Sequence, residues 1–530
     1  MDTQKIRKID ALFDAFNCAD EPGCAVAVSV DGQPVYRQAF GMADLKQGVA
    51  NQVSTPMPVG SIAKQFTSAA VLLLEAQGRL ALDDTLGKWL PELSSEHEEV
   101  TIEQLMRHQG GVRCYLDHWM FNAYRTLSAD TPWMIQSRQQ SLNFKPGTRS
   151  AYSNGGYLLL TAIIERARGI PFDPFVAQNL FGPAGMYASC IAPWNEITSG
   201  AASAYLFDQD ASIWRPAPKL TERAFGDGGL ISSVDDLLRW ASFLRTSSGP
   251  VQLDNLLAPN VSRAVGPSDY RYGVIEQDWR GVRLVHHAGG MPGANSILAM
   301  LPDEGIDVAI LFNRPASAMT YAFDVLEIIL GDRLEATSDT PLTEDFEDLL
   351  GTYWAPESGF MFALCDLGGQ LGLSFFGDSA FPLESWHGDP DALPFWADAG
   401  ASQIRFRQND VSGALDYFDG RSWLQTERLE PSTPDPERIV ALTPGRFHSV
   451  AADAQLELKV KAGRLVVEIE GSAGLSRYDA EALTENLVRF WPPLFPAGKL
   501  ARIIRHDGAV EAIAVSTPRT CETLFKNIDT

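Results

Sequence analysis

The stretch "CAVAVSVDGQPVYRQAFG" and the run from 281 to 313 constrain this chain more than any other feature. The first reads as two strands around Asp31-Gly32, because an aspartate-glycine pair accepts the left-handed backbone of a tight hairpin. The second reads as three successive strands, "VRLVHHAGG", "ANSILAMLP" and "IDVAILFNR". A helix precedes the first set, with Ile6, Ile9, Leu12, Phe13 and Phe16 on one face, and "MTYAFDVLEIILGDRL" follows the second as another. Between the sets, "KQFTSAAVLLLEAQGRL", "TIEQLMRHQGG" and "GYLLLTAIIERARG" have helical periodicity and end near glycines. Strands at both ends of a helical middle predict an α+β unit: one antiparallel sheet formed by both ends of the region and covered by helices.

A chain of 530 residues exceeds what one core serves, so further domains are expected. Two polar linkers, "EATSDTPLTED" and "EPSTPDPER", mark the boundaries. The segments after them resemble each other: "LGTYWAPESGFMFALCDLGGQLGLSFF" and "PGRFHSVAADAQLELKVKAGRLVVEI". Gly351 and Gly369 stand as far apart as Gly445 and Gly463, and an aromatic follows the first glycine of each pair by two. Strand-period alternation in both copies predicts twin small antiparallel β-barrels. The expected units are residues 1–334, a first barrel over 340–430 and a second over 438–530. Neither barrel carries an evident nucleophile or metal cluster, so chemistry is expected before residue 335.

A formal net charge of −24 repels phosphate backbones and anionic lipid, which argues against nucleic acid as a partner. No apolar run approaches the roughly 18 residues that span a bilayer, and the opening "MDTQKIRKIDALFDAFNCAD" lacks the apolar core of a secretory signal. The expectation is a soluble, cytoplasmic protein without membrane contact. Cys18, Cys24, Cys114, Cys190, Cys365 and Cys521 are scattered, with no metal-ligand spacing, and suit a reducing compartment.

"VGSIAKQFTS" places Lys64 three positions after Ser61, on one helical face if the helix begins there. A serine hydroxyl needs a base to become a nucleophile, and lysine is one only when burial or a cationic neighbour lowers its pKa from about 10 toward 7. Taken alone, the pair equally describes a capping serine and a solvated lysine. "KPGTRSAYSNGGY" adds Tyr152, Ser153 and Asn154 in a loop before a helix, where a phenol can relay a proton and the Asn154 amide can meet a substrate carbonyl. "VHHAGGMPG" ends a strand with His287, Ala288, Gly289 and Gly290, whose small residues let a substrate lie along a sheet edge. His286 and His287 point to opposite faces of a strand, which disfavours a shared metal.

These three elements in this order resemble the penicillin-recognising serine hydrolases, with signatures S-x-x-K, Tyr/Ser-x-Asn and Lys/His-x-Gly. "LMRHQGG", "LFGPAGM" and "GDGGLISSVDDLLRW" strengthen the resemblance, which covers residues 1 to about 333. With two appended barrels the chain is most similar to the three-domain D-aminopeptidase branch. The resemblance implies hydrolysis of small peptides or amides through a seryl intermediate, with release of N-terminal D-residues and no cofactor. It makes Ser61 the nucleophile, Lys64 its base, Tyr152 the proton relay and His287 the third-motif residue. Asn154, Gly289 and Gly290 become substrate contacts, and the N–H groups of Ser61 and Gly290 the oxyanion hole.

Two departures shape the substrate expectation. His287 stands where most relatives have lysine, and a neutral imidazole anchors a carboxylate poorly, which argues against β-lactams and D,D-carboxypeptidase substrates and favours amides or esters without a carboxylate. The barrel loop that would supply an acid for the substrate ammonium aligns with 491–499, which is proline-rich and has none. Trp491 and Phe495 there suit an apolar subsite or the barrel interior, and Glu485 and Asp479 are the nearby acids. An esterase or D-amino-acid amidase of the same fold, and a non-catalytic peptide-binding member, stay open as alternatives. Oligomeric state also stays open, a homodimer included.

Overall fold

In the computed structural model the described residues are 1–119, 126–192, 198–259, 268–335, 346–385, 392–393, 395–398, 403–409, 414–419, 421–472, 474–491 and 498–529. The first region is organised by an antiparallel sheet whose strands are β1 (Cys24–Val30), β2 (Gln33–Phe40), β3 (Ser268–Tyr270), β4 (Ile275–Trp279), β5 (Val282–Met291), β6 (Ala294–Leu301) and β7 (Ile306–Phe312). Their order is β3-β4-β5-β6-β7-β1-β2, so the amino-terminal hairpin pairs with the last strand of the run beginning at 281. Asp31 and Gly32 both adopt positive φ in the hairpin turn, the conformation expected of that pair.

Alternation along β1 explains the layers. Val26 and Val28 face a core shared with Ile9 and Phe13 of α1 (Thr3–Phe13), and with Val325 and Leu326 of α5 (Ala318–Leu330). Ala25 and Ala27 face the opposite core, where Phe66 of α2 (Ala63–Ala76) stacks on Trp240 of α4 (Val234–Thr246) with ring centroids 4.3 Å apart. Burial on both faces makes β1 a nearly continuous apolar run. α3 (Asn154–Arg168) packs beside α2, capped by Ser153 at its start and ended by Gly169 in the left-handed conformation.

One charged residue of this sheet is fully buried. Asp307 is fully buried and accepts hydrogen bonds from Ser29 on β1, at 2.8 Å, and from both terminal nitrogens of Arg245 on α4. Asp307→Ala removes every partner at once and leaves a largely buried guanidinium uncompensated. The expected cost is about 3 kcal/mol, read as a lower denaturation midpoint by circular dichroism.

Beyond residue 346 the regular structure among the described residues is strand, apart from a helix over Pro436–Leu442 and a single helical turn at Glu347–Leu349. Residues 447–527 form a closed barrel of eight antiparallel strands, ending in β8 (Ala509–Thr517) and β9 (Thr520–Asn527). The preceding unit has two five-stranded sheets around one core, with Tyr353, Phe362 and Leu373 from one meeting Phe406 and Tyr417 from the other. The two similar sequences thus have different strand arrangements among the described residues.

Candidate active site

The site grows from a mismatch in strand length. β4 pairs only with residues 282–286 of β5, so 287–291 have no strand on that side among the described residues. The turn Gly60–Ile62 fills the gap. Gly60 has φ +52, and a Cβ on it would stand 2.9 Å from the Gly290 nitrogen; a Cβ on Gly289 would stand 2.0 Å from the Val59 oxygen. Only glycine permits this approach of turn to strand edge. Ser296 fastens it, donating to the Val59 carbonyl at 2.7 Å.

Ser61 therefore sits at the mouth of α2, half-buried, beside the open edge of β5. Lys64, one turn on, is fully buried. Its Nζ lies 3.2 Å from Ser61 Oγ, 2.7 Å from Asn154 Oδ1 and 2.5 Å from the Asp227 carbonyl oxygen. Amide oxygens can only accept, so the two shorter contacts consume two N–H groups. A neutral amine keeps its lone pair for the third contact, the Ser61 hydroxyl. Burial, reinforced by the Arg519 charge and opposed by that of Asp227, brings the Lys64 pKa down to about 7. A lysine so placed can take a proton near neutrality.

Tyr152 stands above the pair, with Nζ 4.8 Å from its ring centroid and a hydrogen bond to Ser61. Burial raises its pKa, so the phenol holds its proton. His287 lies 6.3 Å from Tyr152 between ring centroids; its Nδ1 contacts the Ala288 oxygen at 2.6 Å and its Nε2 the Tyr270 hydroxyl at 3.2 Å. Burial and the nearby Lys64 push its pKa down to about 3, which keeps the imidazole neutral. His286 turns to the other face, against Phe323 of α5. Gly290 faces open space, the nearest atom to a built Cβ being 3.9 Å away.

Asn154 has a second task beside the expected one. Its oxygen accepts from Lys64, and its amide nitrogen reaches Cys114 Sγ at 3.7 Å, which leaves one of the two amide N–H groups for a substrate carbonyl in the cavity it lines with Ser61. Asp227, within the quoted stretch "GDGGLISSVDDLLRW", holds Lys64 through its backbone, a contact that no side-chain pattern announces. Its carboxylate accepts from Tyr115 at 2.9 Å, and burial raises its pKa against the pull of Lys64.

His108 also went unassigned. At φ +57 it accepts from Ala151 N through its carbonyl, at 3.0 Å, and from Ser153 N through Nδ1, at 3.1 Å, so it grips both neighbours of Tyr152. Its ring lies 4.3 Å from that of Tyr152, and burial holds its pKa well below the ordinary value. His108→Leu should lower kcat about 10- to 100-fold by loosening the phenol. His108→Asn, with an acceptor near the Nδ1 position and tolerance of positive φ, should recover most of that loss; stopped-flow acylation rates measure both.

A cavity of about 610 Å³ opens from Ser61. Tyr152, His287 and Gly290 form one wall, and Phe360, Phe375, Ile404 and Tyr417 of the middle unit form an apolar one. Residues 517–521 of the barrel, the turn between β8 and β9, complete it. Of the residues expected to close the cleft, Phe495 lies outside the described residues. Glu485 pairs with Arg438, Asp479 lies in a barrel strand, and Trp491 stacks under Arg489 at 5.0 Å. Residues 492–497 lie outside the described residues, and the barrel reaches the cleft through the turn at 517–521.

A sequence model of the beta-lactamase family matches residues 9–332. The D-aminopeptidase of Cereibacter sphaeroides is 27% identical over 484 residues, covering 88% of this chain and 87% of that protein. The D-aminopeptidase of Brucella anthropi is 27% identical over 480 residues, covering 86% and 84%. Among solved structures, the octameric penicillin-binding protein homologue from Pyrococcus abyssi aligns with a TM-score of 0.57 at 22% identity, covering 81% of this chain and all of that one. The family match spans more than half of the chain and contains the sheet, the turn bearing Ser61 and the strand bearing His287, and on that ground the chain belongs to the beta-lactamase family.

Proposed function

We propose that this protein is a serine hydrolase that forms an acyl-enzyme on Ser61 and releases N-terminal D-residues from small peptides or amides. The observation that carries the reading is Lys64, fully buried, 3.2 Å from Ser61 Oγ and with its pKa brought down to about 7. Neutral Lys64 takes the hydroxyl proton as Oγ attacks the carbonyl carbon. The N–H groups of Ser61 and Gly290 receive the developing oxyanion. Tyr152 delivers a proton to the leaving nitrogen, the C–N bond breaks, and water activated by the Lys64/Tyr152 pair then cleaves the acyl ester. The D-residue preference rests on relatives named D-aminopeptidase that match this chain over most of their length.

The apolar wall of the cavity supports a second reading, an esterase using the same groups. Mass spectrometry after treatment with a slowly deacylating carbamate should show one adduct, on Ser61. Rates on D- and L-alanine p-nitroanilide and on p-nitrophenyl butyrate then separate the readings. D-anilide turnover supports the peptidase, and ester turnover alone removes it. The division into units 1–334, 340–430 and 438–530 belongs to the same proposal, the two later units closing the cleft. Among the described residues no helix is long and apolar enough to cross a membrane.

A further inference from the structure

The barrel turn at 517–521 places one permanent cation beside Ser61. Arg519 lines the large cavity and also a smaller one that shares Ser61 and Gly290 with it and includes Tyr115, Thr221, Phe225 and Met291. The turn is fixed rather than draped. Thr520 accepts from Cys114 N at 3.2 Å, and Asn143 bridges the Arg519 carbonyl, at 3.0 Å, and the Cys521 nitrogen, at 2.8 Å. Thr517 donates to one oxygen of the buried Asp117. Nε and Nη2 of Arg519 donate to the other, at 2.9 and 2.5 Å.

That geometry uses one side of the guanidinium. Among the described residues Nε and Nη2 make the side-chain hydrogen bonds and Nη1 makes none, while 30% of the side chain is exposed, so two N–H groups remain for something in the cleft. Asp117 does not cancel the charge alone, because Lys499 also acts on it from the barrel; Asp378 in turn acts on Lys499. With His287 neutral and Lys64 required as a neutral base, Arg519 is a cation that lines both cavities containing the nucleophile.

We propose that Arg519 is a substrate-binding residue that selects short peptides bearing a free carboxylate next to the scissile bond, the carboxylate accepting from Nη1. The planar donor set of a guanidinium suits a carboxylate better than a carboxamide, which carries no charge. This deepens the hydrolase reading and rests on it for the word substrate, but the binding subsite stands on the Arg519 geometry alone. On this proposal Arg519 holds the carboxylate that the neutral His287 anchors poorly.

The test is isothermal titration of Ser61→Ala protein with D-Ala-D-Phe and with its C-terminal carboxamide, which requires no turnover. The acid should bind about tenfold more tightly than the amide. Arg519→Gln in the same background should erase the difference, and Arg519→Lys should restore part of it. Because Arg519→Gln alone leaves Asp117 buried without its cation, the pair Asp117→Asn/Arg519→Gln serves as a second variant, which should show equal affinities. Equal affinities in the Ser61→Ala parent, binding of neither ligand, or a preference surviving Arg519→Gln, which would point to Arg149, overturns the proposal. Acylation of Ser61 without acid selectivity defeats the subsite and leaves the hydrolase reading standing; acid selectivity without acylation does the reverse.

Discussion

Ser61→Ala is expected to lower kcat/KM for any turned-over amide or ester by on the order of 10⁵-fold or more, because groups acting as one unit lose nearly everything when the nucleophile goes. Lys64→Met should cost almost as much: among the described residues the other group that contacts the hydroxyl is Tyr152, whose phenol holds its proton, while Asn154 and the Asp227 carbonyl contact Nζ, not Oγ. The pH dependence gives a sharper check. Lys64 acts as its neutral form, so kcat/KM should fall tenfold per unit on acidification below about 7, the value to which burial brings its pKa, and level off above it. Tyr152 imposes no alkaline limb below its ordinary value of about 10, because burial moves the phenol upward. A profile flat from pH 5 to 9 on a substrate whose acylation is rate-limiting would remove Lys64 as the base. Steady-state rates of the unmodified protein across that range suffice.

The second large effect comes from a residue with no chemistry of its own. Gly289→Ala puts a methyl group 2.0 Å from the Val59 oxygen and 2.5 Å from Ser296 Oγ. The serine can rotate, but the carbonyl belongs to the backbone two residues before the nucleophile and cannot. Turn and strand must separate, carrying Ser61 away from Gly290 and Lys64 by a fraction of an ångström or more. Displacement on that scale is worth about 10²-fold in rate. Strain of about 1 to 3 kcal/mol should appear as a lower unfolding temperature. Gly290→Ala is the control: its Cβ meets nothing closer than 3.9 Å, so stability should hold and only substrate affinity should change. Calorimetry with burst-phase acylation separates the two variants. Equal damage from both would mean that the close approach of turn and strand is not what sets the nucleophile.

The fold of the first region was legible because its strands are apolar runs bounded by strong turn signals. Asp31-Gly32 gave the hairpin; that Ala25 and Ala27 meet one core and Val26 and Val28 the other appears only in the packed sheet. Ser61, Lys64, Tyr152 and His287 could be named because short spacings and motif order carry them, and a helix converts the spacing of Ser61 and Lys64 into contact at 3.2 Å. The contact of the Asn154 oxygen with Lys64 was not legible, since nothing in its neighbourhood in sequence shows that the lysine will reach it. The middle unit shows the limit of repeats: similarity to the closed barrel after it did not reveal that its described strands fall into two sheets.

What the sequence determined by itself was local, namely which segments become strands or helices and which side chains lie one turn apart, because backbone sterics and periodic burial act over a few residues. What only the tertiary structure decided was everything that depends on distant segments sharing one low-dielectric space: the pKa of Lys64, the grip of His108 on the Tyr152 loop, and the arrival of Arg519 from the far end of the chain beside Ser61. Burial and charge coupling depend on distance in space, and the separation of residues 61 and 519 along the chain says nothing about that distance.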